Sequence, residues 1–303
     1  MKILVIGATG YIGGSVAARL VGAGHEVTGL VRTPEKAARL RSLGIAPVTA
    51  SLADLGRIAE AAKSADAVIN AADADNSLVA HAILDAIAGS GKRFIHTSGS
   101  SIVADRAYGE ASDAVFNEDI PVEPLPERLL RLAVDRLVLG SALRGVHAVV
   151  IRPSLIYGKG HGLNLHSAQV PKLIAIAKEH GIARHVGRGL NIWSNVFIDD
   201  VVDLYLRALD AAPTGSLFYA ENGESSWCEM ASAVGRMLGL GPRTKDWPIE
   251  EALAALGAGA VTSYGSNSRV RAQKARLMLG WEPKGPALID EIETGCYADA
   301  ARS

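Results

Sequence analysis

Cysteine is scarce: the 303 residues hold two, Cys228 and Cys296, far apart and in no Cys-x-x-Cys pattern. That argues against a disulfide scaffold or a zinc site built on cysteine pairs, and leaves both as small apolar residues or free thiols. An excess of charge of one sign is missing too. Lys and Arg number 31 against 32 Asp and Glu, and no basic run interleaved with aromatics occurs, so a nucleic-acid or polyanion partner is not expected. Nowhere do about 18 uncharged apolar residues run together, and the N-terminus enters an apolar strand at once, without a basic leader and apolar h-region. No membrane span is expected, and the reading is a cytoplasmic protein. The spacing of His and carboxylate residues matches no recognised ligand set, so no metal is implied. Repeats, low-complexity tracts and flexible linkers are absent as well.

Hydrophobic residues make up 49% of the chain and charged residues 21%, enough to build a substantial core in one large α/β domain with a smaller appendage. The most informative stretch is Ile3-Leu4-Val5-Ile6-Gly7-Ala8-Thr9-Gly10-Tyr11-Ile12-Gly13-Gly14. Four apolar residues in a row suit a parallel strand buried on both faces. Gly7, Gly10 and Gly13, at spacing three, let the backbone turn tightly and approach a pyrophosphate with no Cβ in the way. A helix starting near Tyr11 then points free N–H groups and its positive dipole end at the phosphates, so Gly7, Thr9, Gly10, Tyr11, Ile12 and Gly13 are the expected dinucleotide cradle. The helix carries Val16, Ala17, Leu20 and Val21, and a second strand at Glu26–Val31 closes a βαβ unit of about 30 residues.

The end of that second strand bears on the choice of cofactor. An NAD site places an acidic residue here for the ribose 2′-hydroxyl, whereas this chain has Arg32 and Thr33, with Lys36 one helical turn on. Arg32 can fork onto a 2′-phosphate, which points to NADP(H).

Strands are expected at Lys2–Ile6, Glu26–Val31, Ala46–Thr49, Ala67–Asn70, Arg93–Thr97 and His147–Arg152. Helices are expected between them, near Ile12–Ala23, Pro34–Leu43, Leu55–Lys63, Leu78–Gly89 and Glu127–Leu143. This alternation predicts an α/β fold, a Rossmann-like doubly wound parallel sheet with ligand at the strand C-terminal ends. After Arg152 the texture turns rich in Gly, His and Pro. The expected division is a dinucleotide-binding domain over 1–155, rejoined by 191–212, and a smaller substrate lobe from 156–190 and 213–303.

Four segments together carry a likeness: Gly7-Ala8-Thr9-Gly10-Tyr11-Ile12-Gly13, His96-Thr97-Ser98, Arg152-Pro153-Ser154-Leu155-Ile156-Tyr157-Gly158, and Val196-Phe197-Ile198-Asp199-Asp200-Val201. In this order the chain resembles the extended short-chain dehydrogenase/reductases, the NAD(P)-dependent epimerase/dehydratase group. The resemblance implies cofactor binding that extends to Pro153, a C-terminal substrate lobe that includes Tyr157, hydride transfer at a carbonyl or carbinol carbon, and possible dimers through paired helices.

The same resemblance exposes a departure. Family members use a Tyr-x-x-x-Lys pair as acid/base, and in that register Glu127 stands for the tyrosine, Arg131 for the lysine and Asp135 for an acidic residue further along the helix. Arg131 retains a positive field for the ribose, but a guanidinium does not titrate, and Glu127 is an acid near neutrality only if burial raises its pKa. Ser98, at the position that hydrogen-bonds substrate oxygen, and Tyr108, in the following loop, are the other candidates. Substrate contacts are expected from the polar loop bearing His161, Asn164 and His166. Trp193 occupies the position of the arginine that clamps a substrate diphosphate, which favours an uncharged, partly apolar or aromatic molecule.

Three functions follow from these residues: an NADPH-dependent reductase of a carbonyl or related unsaturated small molecule, a nucleotide-sugar epimerase or dehydratase, or a non-catalytic NADP(H) sensor.

Overall fold

The computed structural model describes residues 1–302. The first half is built of β1 (Lys2–Ile6), α1 (Tyr11–Gly22), β2 (Glu26–Val31), α2 (Pro34–Ser42), β3 (Ala46–Thr49), α3 (Leu55–Ser64), β4 (Ala67–Asn70), α4 (Ser77–Ile87), β5 (Arg93–Thr97), α5 (Leu129–Gly140) and β6 (His147–Pro153). Then come β7 (Leu155–Tyr157), α6 (Gln169–His180), β8 (Ala183–Val186), β9 (Ile192–Phe197), α7 (Ile198–Ala211), β10 (Ser216–Ala220), β11 (Glu224–Ser226) and α8 (Trp227–Met237). The chain finishes with β12 (Thr244–Trp247), α9 (Ile249–Leu256), α10 (Gln273–Leu279), α11 (Leu288–Glu293) and α12 (Cys296–Arg302). Among the described residues no helix is long and apolar enough to cross a membrane.

Seven parallel strands form the main sheet in the order β10-β6-β5-β4-β1-β2-β3. Each strand sends alternate side chains to opposite faces. Ile3 and Val5 therefore join the core under α1 and α7, while Leu4 and Ile6 join the one with Val68, Ile83, Phe94 and Val134 under α3, α4 and α5. Burial on both faces explains why Ile3–Ile6 of β1 reads as an unbroken apolar run, whereas the edge strand β3 has no buried residue. The strand order reverses between β1 and β4, which opens a crevice at their C-terminal ends.

Two boundaries differ from expectation. β10, assigned to the lobe from residue 213 onward, is the seventh strand of the main sheet, paired in register with β6 from Ser216↔Val149 to Ala220↔Pro153. Its Phe218 and Tyr219 are fully buried, so the edge of the sheet is where its apolar side chains find cover. Of 191–212, only α7 returns to pack on α1; β9 pairs instead with β7 and β11 in a separate three-stranded sheet. Together with the parallel pair β8 and β12, that sheet belongs to the lobe, whose own core holds Leu155, Tyr157, Leu173, Trp193 and Trp227. The helix expected over Glu127–Leu143 is regular only over α5, and tight 3₁₀ turns at Pro126–Arg128 and Ser141–Arg144 flank it. Its Val134 and Val138 enter the core while Leu130 stays on the surface, 52% exposed.

Candidate active site

The turn after β1 has the features of a phosphate cradle. Gly7 holds φ +89°, in the left-handed region, and a Cβ there would lie 2.5 Å from the Ala71 carbonyl oxygen. A Cβ on Gly13 would lie 2.4 Å from the Gly7 oxygen. Gly10 caps α1 with extended backbone and no side-chain hydrogen bond, and the first turn carries no acidic residue. The helix N-terminus is thus left with open N–H groups and unopposed positive dipole, the condition for binding an anion. These residues fit a dinucleotide pyrophosphate. At the end of β2, Arg32 is exposed and makes no hydrogen bond or ion pair with the described residues. The Thr33 hydroxyl is spent capping α2, accepting from the Lys36 N–H at 3.4 Å, and the Lys36 side chain is half-buried beside it.

Next to the cradle lies a cavity of about 540 Å³, lined by Tyr11, Ile12 and Ala71 and, from the lobe, by Trp193 and Ser263. Ser98, Arg131, Pro153, Asn164 and His166 also line it. The Tyr11 hydroxyl donates to the Gly158 carbonyl at 2.8 Å, which ties the 158–168 loop to the cradle, and burial pushes the phenol pKa well up. Arg131 forks onto Asp75 with two 2.9 Å bonds and donates to the Ser101 hydroxyl at 2.8 Å. Trp193 is 4% exposed and donates its indole N–H to the Ser266 carbonyl at 2.8 Å.

Beneath Ser98 sits a buried polar network. The Ser98 hydroxyl donates to Asp135 Oδ2 at 2.9 Å, and the same oxygen accepts from Arg152 Nε at 2.8 Å. Arg152 donates in turn to the Tyr219 hydroxyl at 3.0 Å, with its guanidinium 5.5 Å from that ring's centre. Asp135 is fully buried and Arg152 is 4% exposed. Nearby, His96 Nδ1 lies 3.3 Å from the Asn70 amide nitrogen, and burial holds the imidazole pKa below its ordinary value. Because its one proton goes to Asp135, Ser98 offers the cavity lone pairs.

Four residues expected at the site lie elsewhere. Glu127 forms an exposed ion pair with Arg106 at 2.8 Å and does not line the cavity; the adjacent Arg128 does. Tyr108 is 45% exposed, at φ +51°, on a loop that packs against Gly187 and Gly265. Tyr157 is fully buried in the lobe core, edge-on to Phe197, with its hydroxyl donating to the Pro286 carbonyl at 2.6 Å. His161 lies in a separate pocket beside Ala18, Arg19 and Gly22, toward the C-terminal end of α1, hydrogen-bonded to Asp199. Conversely, Arg128, Ser154 and Ser263 line the cavity although the sequence pattern gives none of them a role there. Arg128 was legible only as the neighbour of Glu127, and no motif marks Ser263.

The model of the NAD dependent epimerase/dehydratase family matches residues 3–218. The chain is 32% identical to an oxidase, ucsJ, of Acremonium sp, over 99% of this chain and 98% of that one. It is 24% identical to a 3-diazoavenalumate denitrifying reductase of Streptomyces sp, over 96% of this chain and 99% of the relative. Among solved structures, UDP-glucose 4-epimerase of Thermotoga maritima superposes with a TM-score of 0.78 at 19% identity, covering 100% of this chain and 99% of that one. With the cradle, the seven-stranded sheet and a family match over its first 218 residues, the chain belongs to the NAD-dependent epimerase/dehydratase family.

Proposed function

We propose that this chain is an NADP(H)-dependent reductase of a carbonyl or related unsaturated small molecule. The observation that carries the reading is Arg32, unpaired at the end of β2 where a ribose 2′-phosphate would lie, on a chain whose cradle opens into a cavity lined by hydroxyl and guanidinium groups. Relatives support the chemical class: a 2-alkyl-3-oxoalkanoate reductase of Stenotrophomonas maltophilia is 28% identical over 74% of this chain.

A bound nicotinamide would supply or take the hydride. The chain's own part is to orient and to hold charge. Arg131 has three of its five N–H groups engaged with Asp75 and Ser101, which fixes its plane and leaves two to meet negative charge growing on a substrate oxygen. Ser98, its proton committed to Asp135, accepts from a substrate hydroxyl and so orients the alcohol form. Trp193 offers a flat apolar wall to an unsaturated or aromatic body.

A second reading, a non-catalytic NADP(H) sensor, is favoured by the placement of Tyr108 and Glu127, both away from the cavity lining. One experiment separates the two: following nicotinamide absorbance while aldehydes, ketones, aromatic enones and nucleotide sugars are added to the NADPH-loaded protein. Oxidation by a carbonyl compound is the expected result; tight NADPH binding with no oxidation by any compound would replace the reductase with the sensor.

A further inference from the structure

The cavity wall contains two guanidinium groups in opposite states. Arg131 is paired, in a two-bond fork onto Asp75. Arg128 is not: it forms no ion pair among the described residues, and its one hydrogen bond runs from Nη2 to the Thr262 hydroxyl at 3.0 Å. Its Nε–H is buried and meets no acceptor. Glu127, the carboxylate next to it in sequence, is turned outward to Arg106. Among the described residues no Asp or Glu lines the cavity, whereas Arg128, Arg131, His166 and several serines do.

Leaving a guanidinium half-buried without an anion is costly, because desolvation is not repaid by a partner charge. Burial first, and the positive charge of Arg131 second, pull the Arg128 pKa below its ordinary value, more than Asp75 and Glu127 restore. A planar fork with open N–H groups matches a carboxylate, which accepts two parallel bonds. Arg128 is tied to the lobe rather than to the cradle: Thr262, which accepts its hydrogen bond, and Ser263, which lines the cavity, both belong to the lobe.

We propose that Arg128 is the substrate-anchoring residue, and that the substrate is a carboxylate-bearing unsaturated or aromatic carbonyl compound whose anion lies on Arg128 and whose flat body lies against Trp193. This rests on the reductase reading for the carbonyl but not for the anion. It revises the expectation of an uncharged ligand, which followed from Trp193 alone.

The test is calorimetric titration of the NADPH-loaded protein with benzoate and 4-carboxybenzaldehyde, each beside its methyl ester, and with UDP-glucose. In the wild type, at least one acid binds about tenfold or more tightly than its ester, as expected for a charge-assisted bond. Arg128→Met abolishes that preference, Arg128→Lys retains part of it, and both leave NADPH affinity unchanged. Equal binding of acids and esters overturns the proposal, as does an acid preference surviving in Arg128→Met, UDP-glucose binding lost with Arg128, or a parallel loss of NADPH. The acid-ester comparison in the wild type stands even if Arg128→Met does not fold. Acid preference without NADPH oxidation by 4-carboxybenzaldehyde would support the anchor while counting against the reductase reading.

Discussion

Asp135→Ala is the sharpest perturbation of the network beneath Ser98. It removes a fully buried carboxylate oxygen that accepts from both Ser98 and Arg152, and strands a guanidinium that is itself only 4% exposed. The Tyr219 hydroxyl is the polar side chain left to Arg152, and a phenol does not balance a charge. Breaking a buried pair from one side costs about 3–5 kcal/mol, because the remaining charge is left uncompensated. Arg152→Met strands the carboxylate instead and is expected to cost a similar amount. The double variant, Asp135→Ala with Arg152→Met, removes both charges and leaves only the Ser98 and Tyr219 hydroxyls short of a partner, roughly 1–3 kcal/mol. The two single losses therefore exceed the double loss when summed, by several kcal/mol. Urea unfolding followed by circular dichroism, compared through midpoints at a common slope, measures all three. A single-variant loss under about 1 kcal/mol, the worth of a solvent-exposed pair, would mean that the buried charge is not stranded, and simple additivity would mean that the two residues are not coupled.

Further expectations concern the cradle, the excluded acid and a buried imidazole. Gly13→Ala places a methyl 2.4 Å from the Gly7 carbonyl oxygen, a backbone atom that cannot swing away, so NADPH binding measured by nicotinamide fluorescence is lost; affinity within a few-fold of wild type would contradict this. Tyr108→Phe leaves both turnover and NADPH affinity unchanged, since its ring lies outside the cavity lining; abolished turnover would restore it as the acid. Burial lowers the His96 pKa, so between that value and the unfolded value of about 6.5 the unfolded chain binds more protons. The contribution of His96 is full above ~6.5 and falls as pH drops toward its folded pKa. His96→Gln should flatten that part of the stability–pH curve, and an unchanged curve would sink the assignment.

The main sheet is legible because its inner strands, such as β1 and β4, are buried on both faces and so announce themselves locally. The first five strands begin and end at the expected residues, and the sixth runs one residue further, to Pro153. The cradle was legible for the same reason: its chemistry lies in backbone shape within seven residues. Where partners are far apart in sequence, local pattern does not show them. Tyr157 looks like a pocket residue until Pro286, 129 positions away, takes its hydroxyl. Arg128 shows its unpaired state only once Thr262, 134 positions away, is seen beside it and Glu127 is seen with Arg106. β10 has no motif, and its place at the sheet edge comes from pairing with β6.

The most direct test of the central claim is a titration of wild type and Arg32→Glu with NADPH and NADH, followed by nicotinamide fluorescence. Wild type is expected to bind NADPH about tenfold or more tightly than NADH, and Arg32→Glu to remove most of this difference while changing NADH affinity little. Equal affinity of wild type for the two cofactors, or equal losses for both in the variant, would contradict it.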